Sequence, residues 1–286
     1  MGEMLWPVVP GHTLPRMFDE TSRAAPAGFR DALARLRQAQ KSARGGPPYS
    51  IFVNRPTGRI LAALAYRAGL TPNQVTGLSA VATFAGIWLL AAAPASLVTG
   101  ITVAVLLVLG YALDSADGQL ARLRGGGSLQ GEWLDHTVDS LKVVVVHLAV
   151  LVTWYLHLDL PAGWLAVPLA FAAASSVHFF GMVLVDLLAR VTRAETSVPA
   201  PAKVAPAASL SLLKLPTDYG VLCLAMVLLG SHALFVGVYT VLAVATVGYT
   251  LLVVVKWRRD VVALDALRSA HRTGAAADPA QGATVA

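Results

Sequence analysis

Four aspartates stand where a strongly apolar sequence has least room for charge. Asp114 and Asp117 lie in one apolar run, Asp135 and Asp139 in the next, and Arg122 falls between the pairs. An ionised side chain at membrane depth is expensive and marks a functional site by default. Asp114 and Asp117 are three residues apart and Asp135 and Asp139 four apart, so on helices each pair points from a single face. The linking stretch Leu123-Arg124-Gly125-Gly126-Gly127-Ser128-Leu129-Gln130 reads as a flexible turn, which makes the two helices antiparallel and lets the four carboxylates face each other. Converging negative charges need cations. Carboxylate-only ligation is hard-oxygen chemistry and suits Mg²⁺ or Mn²⁺ rather than zinc or copper. Two such ions side by side can clamp a phosphoryl centre undergoing in-line displacement. Arg122, about one helical turn beyond Asp117, is then the cationic partner for phosphate oxygens, while Gly118 and Ala121 lack the bulk to keep a ligand off the backbone. A plain intramembrane salt-bridge network fails on charge, because Arg122 balances at most one of the four aspartates.

The elements that position these residues follow from composition. The chain has 286 residues, 56% of them hydrophobic and only 13% charged, with a mean hydropathy of +0.64, which excludes an ordinary soluble domain. The formal charge of +6 and the pI near 9.7 are explained by basic residues flanking apolar segments, so no nucleic-acid partner is expected. The single cysteine, Cys223, rules out an intramolecular disulfide and a thiolate cluster. The long arginine-bearing stretch before the first apolar run does not resemble a signal peptide.

Residues 1–48 form a polar extension broken by prolines, in which Phe29, Leu33 and Leu36 recur at helical spacing. From Ile51 to Arg67, apolar residues alternate with Arg55, Arg59 and Arg67, as in an amphipathic helix lying in the headgroup layer. Beyond Pro72 six stretches reach the length of about 20 residues that crosses a bilayer, near 73–94, 97–122, 131–157, 162–187, 210–230 and 233–255. Cations cluster before residue 70, at 122–124, over 190–214 and after Lys256, and are missing from the turns between, which places both termini in the cytoplasm. The expected fold is all-α and polytopic, with six spans over 49–256 and a disordered cytoplasmic tail over 257–286.

The run Asp114-x2-Asp117-Gly118-x2-Ala121-Arg122-x8-Gly131-x3-Asp135-x3-Asp139 resembles the signature of the CDP-alcohol phosphotransferase family at all eight specified positions. With each residue type near one in twenty, chance agreement is on the order of one in 10⁸. The resemblance extends to Thr71-Pro72-Asn73-x2-Thr76, a segment that in this family lines the nucleotide pocket, and to the six-span layout over roughly residues 50–255. It implies an integral-membrane enzyme that transfers the phosphatidyl group of a CDP-linked lipid, CDP-diacylglycerol by preference, to a hydroxyl acceptor with release of CMP. It further implies that Asp114, Asp117 and Asp135 hold two divalent cations, that Asp139 acts as the base and shares the metal site, and that Pro72, Asn73, Thr76, Gly118, Ala121 and Arg122 meet the nucleotide. The expected setting is a bacterial cell membrane, with membrane lipids as neighbours and a homodimer left open.

The acceptor stays open among inositol phosphate, glycerol phosphate, serine, an amino alcohol and inositol. Lys214, with Arg190 and Arg193 nearby in sequence, is a candidate partner for an acceptor phosphate. His147 and His178 lie deep in spans and suit interhelical hydrogen bonds, and His136 is a bystander beside Asp135. The rival reading is an ion-coupled transporter that uses the acidic cluster for coordination; its usual paired halves are not visible in the sequence.

Overall fold

The computed structural model describes residues 28–38, 46–199 and 215–277, and the regular elements among them are all helical. They comprise α1 (Phe29–Gln38), α2 (Arg55–Arg67, entered through a π-turn at Ser50–Asn54), α3 (Pro72–Ala92), α4 (Leu97–Leu123), α5 (Leu129–His157), α6 (Ala166–Thr196), α7 (Tyr219–Ala225) and α8 (His232–Ala277). Five of these, α3, α4, α5, α6 and α8, are long and apolar enough to cross a membrane, and Tyr219–Gly230 is a shorter apolar helix. The chain is an all-α polytopic membrane protein. Trp88, Val98, Phe180 and Leu252 are each more than half exposed, as on helices with outward apolar faces in a membrane.

Thr71 starts α3 with a capping box: its hydroxyl accepts from the Gln74 N–H at 3.3 Å and its own N–H donates to Gln74 Oε1 at 2.8 Å, with Pro72 at the first helical position. Helix α3 packs along α4 through small residues, as membrane helices do when backbones approach closely. Ser79 Oγ donates to the Gly110 carbonyl at 2.8 Å, and a side chain at Gly110 would collide with Thr83. Helix α2 lies across α4 with Gly58 against Ser115 and Gln119, leaving Ile60 and Leu64 half exposed toward the headgroup layer. Helix α1 buries Ala32 and Leu36 against the alanine face of α2.

The glycine linker is more ordered than its composition predicts. Gly125 and Gly126 have φ of 96° and 136°, open to glycine and strained for other residues. Gly126 N–H then donates back to the Ala121 carbonyl at 2.9 Å, closing α4. Ser128 opens α5 by accepting from the Gly131 N–H at 3.0 Å.

Two expectations are corrected. The stretch expected as a span over 210–230 holds, among its described residues, a 3₁₀ turn at Leu215–Thr217, then α7 and a second 3₁₀ turn at Met226–Gly230, because Pro216 and Asp218 start the helix late. Asp218 caps it through the Gly220 N–H at 3.2 Å, and its far end packs Gly230 on Leu97 at the start of α4. The tail expected to be disordered continues α8 as helix to Ala277. Alanine-rich sequence favours that extension, and Arg268 fastens it to Glu195 of α6 at 2.8 Å.

Candidate active site

Antiparallel α4 and α5 bring their acidic faces together, and the residue that joins them was not anticipated. Lys142, one turn after Asp139, extends its ammonium to Asp139 Oδ1 at 2.6 Å and to Asp114 Oδ1 at 3.1 Å. Its side chain is only 6% exposed, and its ammonium stands 5.5 Å above the Tyr219 ring. Arg122 is therefore not the aspartates' sole cation: Lys142 meets two of them. The signal was present in the sequence: a lone lysine in the apolar run after Asp139, on the same helical face, has to find an anion when buried.

Asp117 has a different setting. It is 6% exposed; Thr76 Oγ1 donates to its Oδ2 at 2.5 Å and the Gly118 N–H to its Oδ1 at 2.5 Å. Thr76, expected as a nucleotide contact, thus holds an aspartate. Asn73, from the same first turn of α3, places its Oδ1 beside Gly131, where a Cβ would stand 3.1 Å from it. Arg122 folds back over Gly118, and its Nε is buried with no hydrogen-bond partner. Pro72, Asn73, Thr76, Gly118 and Arg122 therefore gather beside Asp117 on one side of the acidic cluster. Ala121 supplies the carbonyl that closes α4.

Asp135, His136 and Asp139 each bring a ligand atom within 4.8 Å of the others. His136 Nδ1 lies 4.0 Å from Asp135 Oδ2 and its Nε2 lies 3.9 Å from Glu132 Oε1, so the supposed bystander stands inside the cluster. Asp135 and Asp139 are hard oxygen donors and His136 adds a nitrogen, a mixed set that a divalent ion can accept, and Asp117 adds a carboxylate whose two hydrogen bonds both come from neutral groups.

Farther out, Arg190 is held by Glu132 at 2.7 Å and Asp186 at 3.1 Å, and Lys214 lies outside the described residues. His147 hydrogen-bonds Tyr239 Oη at 2.8 Å and Ser175 Oγ at 3.1 Å, tying α5 to α8 and α6 as its depth predicted. Asp218 accepts from the Ser50 N–H at 3.1 Å; burial pushes its carboxyl above the ordinary value, and the backbone donors of Ser50 and Gly220 pull it back.

Asp114, Asp139 and Lys142 open into a cavity of about 590 Å³ between α5, α6 and α8, with Pro47 and Pro216 also on its wall. The family model of CDP-alcohol phosphatidyltransferase matches residues 69–255, which contain the whole acidic cluster and this cavity's α5, α6 and α8 walls down to Val253. The chain belongs to the CDP-alcohol phosphatidyltransferase family. No curated protein matches it. A CDP-alcohol phosphatidyltransferase is a transferase of substituted phosphate groups that works in phospholipid biosynthesis and generally uses a divalent metal. In this one, the Asp135–His136–Asp139 cluster is able to hold such an ion.

Proposed function

We propose that this enzyme transfers the phosphatidyl group of CDP-diacylglycerol to a hydroxyl acceptor and releases CMP, with both termini in the cytoplasm. One observation carries the reading: α4 and α5 present Asp114, Asp139 and Lys142 at the wall of a cavity, while Asp117, held by Thr76, and Arg122, folded over Gly118, belong to the same cluster without lining that cavity. This supports separate places for the two reactants.

The donor diphosphate occupies the Asp117 side. Arg122, with its unpartnered Nε, receives phosphate oxygens there, and Gly118 leaves room for them. The carboxylates of Asp117, Asp135 and Asp139, with Asp114 beside them, would hold Mg²⁺ or Mn²⁺, and His136 stands with Asp135 and Asp139 as a nitrogen donor that Mn²⁺ accepts more readily than Mg²⁺. When bound, a divalent ion neutralises diphosphate charge and makes the phosphorus more electrophilic.

The acceptor enters from the cavity side. Asp139 takes its hydroxyl proton, the acceptor oxygen bonds to the phosphatidyl phosphorus, and the bond from that phosphorus to the bridging oxygen breaks as CMP departs. Assignment of the base to Asp139 rests on the family resemblance and on Asp139 lining the cavity. Lys142 fixes Asp139 and Asp114 in place and offsets part of their mutual repulsion.

The test is release of CMP from labelled CDP-diacylglycerol by purified protein in nanodiscs, with a panel of acceptors. Release that needs both Mg²⁺ or Mn²⁺ and an acceptor is expected. CDP-diacylglycerol left intact under every condition would sink the proposal.

A further inference from the structure

The acidic cluster carries a cation of its own, set between its two helices. Lys142 Nζ stands 2.6 Å from Asp139 Oδ1 and 3.1 Å from Asp114 Oδ1, so one ammonium bridges the first aspartate of α4 and the second of α5. It is held there from several directions. The lysine side chain is buried, its ammonium stands 5.5 Å from the centre of the Tyr219 ring, and that ring packs edge-on against Tyr111 at 5.2 Å. Tyr111 in turn stacks on Tyr49 at 6.3 Å, and the Tyr49 ring fills the space that a side chain at Gly220 would need. A lysine ordinarily keeps its charged head in water; this one is enclosed by aromatic rings and fixed between two carboxylates.

The other donors suit one ion. Asp135, His136 and Asp139 place a ligand atom each within 4.8 Å of the others, close to the roughly 4 Å that separates opposite donors of a single ion at bonds of about 2.1 Å. A second ion that shares a phosphoryl centre with the first belongs about 3.5–4 Å from it. To reach Asp114 it would use Asp139 as the bridging carboxylate, and these are the two residues that Lys142 already joins. An ion bonded to the same two oxygens would be no farther than about 5 Å from the ammonium, where two buried positive charges repel strongly.

We propose that the Lys142 ammonium takes the place of the second divalent ion. The donor-free chain then binds a single ion on Asp117, Asp135 and Asp139 with His136 beside them, and Asp114 is the partner of the lysine and not a metal ligand. This rests on the transfer reading above for the role of the ion and adds the number of ions; it replaces the expected pair.

Mn²⁺ binding to the full chain in phosphatidylcholine nanodiscs, with neither donor nor nucleotide present, tests it. Titration followed by electron paramagnetic resonance should find one tightly bound Mn²⁺ per chain, with the six-line spectrum of an isolated ion. Two tightly bound ions, or a spectrum broadened by exchange between neighbouring ions, overturn the inference. Asp114→Asn should change the Mn²⁺ dissociation constant by less than about threefold, whereas Asp135→Asn should raise it by at least about tenfold. Equal losses in these two variants overturn it as well. Lys142→Met should admit a second Mn²⁺ and bring in the exchange-broadened spectrum, while Lys142→Arg, which keeps the charge, should stay at one ion; a purified Lys142→Met protein that still binds one ion counts against the proposal. Should the methionine variant fail to fold, the wild-type stoichiometry and the aspartate pair still decide. CMP release separates this inference from the transfer reading. Two ions together with Mg²⁺-dependent CMP release overturn the inference and leave transfer standing; one ion without CMP release from any acceptor supports the inference and counts against transfer.

Discussion

The two sides of the acidic cluster come from the same two helices and differ in how their charge is met. Asp114 and Asp139 share the buried ammonium of Lys142, whereas Asp117 is held by a hydroxyl and a backbone N–H. Neutral donors orient a carboxylate without cancelling its charge, so the Asp117 side keeps its demand for a cation from outside. The Lys142 side carries its own. The difference teaches that equal carboxylates at regular spacing need not be equal in charge balance: Asp114 and Asp139 are met by a lysine of the chain itself, and Asp117 is met only by neutral donors.

The most severe way to break this comparison is Asp117→Asn. The amide keeps the bond from Thr76 but loses the charge, so CMP release should fall by about a thousandfold or more while the protein still inserts and purifies. Turnover near wild type would remove Asp117 from the metal-binding side. Asp139→Asn should lower single-turnover CMP release by roughly 10² to 10⁴-fold, with Mg²⁺-dependent donor binding retained. If donor binding falls with the rate, Asp139 is chiefly a ligand and the division of labour collapses.

Lys142→Met sharpens the contrast directly. Deleting one partner of a buried ion pair costs about 3 kcal/mol, because Asp114 and Asp139 are then left facing each other. Thermal unfolding in chelator should shift down markedly, and Mn²⁺ should restore more stability to the variant than it adds to the wild type. Equal Mn²⁺ shifts in the two proteins would show that the lysine and the ion do not answer the same charge. The smallest effect is expected from Arg122→Lys, which keeps the charge and loses the planar fork. Donor affinity should weaken by about tenfold in a titration with CDP-diacylglycerol, and unfolding temperature should barely move.

Much of the site was legible because its chemistry is written locally. The spacing of Asp114 with Asp117 and of Asp135 with Asp139 puts each pair on one helical face, and the glycine linker between Leu123 and Leu129 turns the second helix back on the first. Thr71 and Pro72 likewise announce the start of α3. Lys142 was within reach of the same reasoning through its three-residue spacing from Asp139, but its contact with Asp114, 28 positions away, depends on how α3, packed on both α4 and α5, holds them facing each other. His136 joins the cluster because helix geometry places it among Asp135, Asp139 and Glu132, where adjacency in sequence had suggested only a neighbour. Hydropathy overstated the helix within 210–230, since an apolar run records what can be buried and not where Pro216 and Asp218 let a helix begin.

By itself the sequence determined that the chain is helical and membrane-embedded, that two helices return antiparallel, and that four carboxylates meet between them. These are consequences of composition, 3.6-residue periodicity and capping, which act over a few residues. Tertiary structure alone decided which carboxylates share a cation, that Arg122 folds over Gly118, and that α5, α6 and α8 enclose an aromatic-walled cavity beside Asp139. The physical reason is distance along the chain. The cavity's walls come from helices separated by more than a hundred residues, from Asp139 on α5 to Trp257 on α8, and no periodic pattern in one helix encodes which face of another will lie against it.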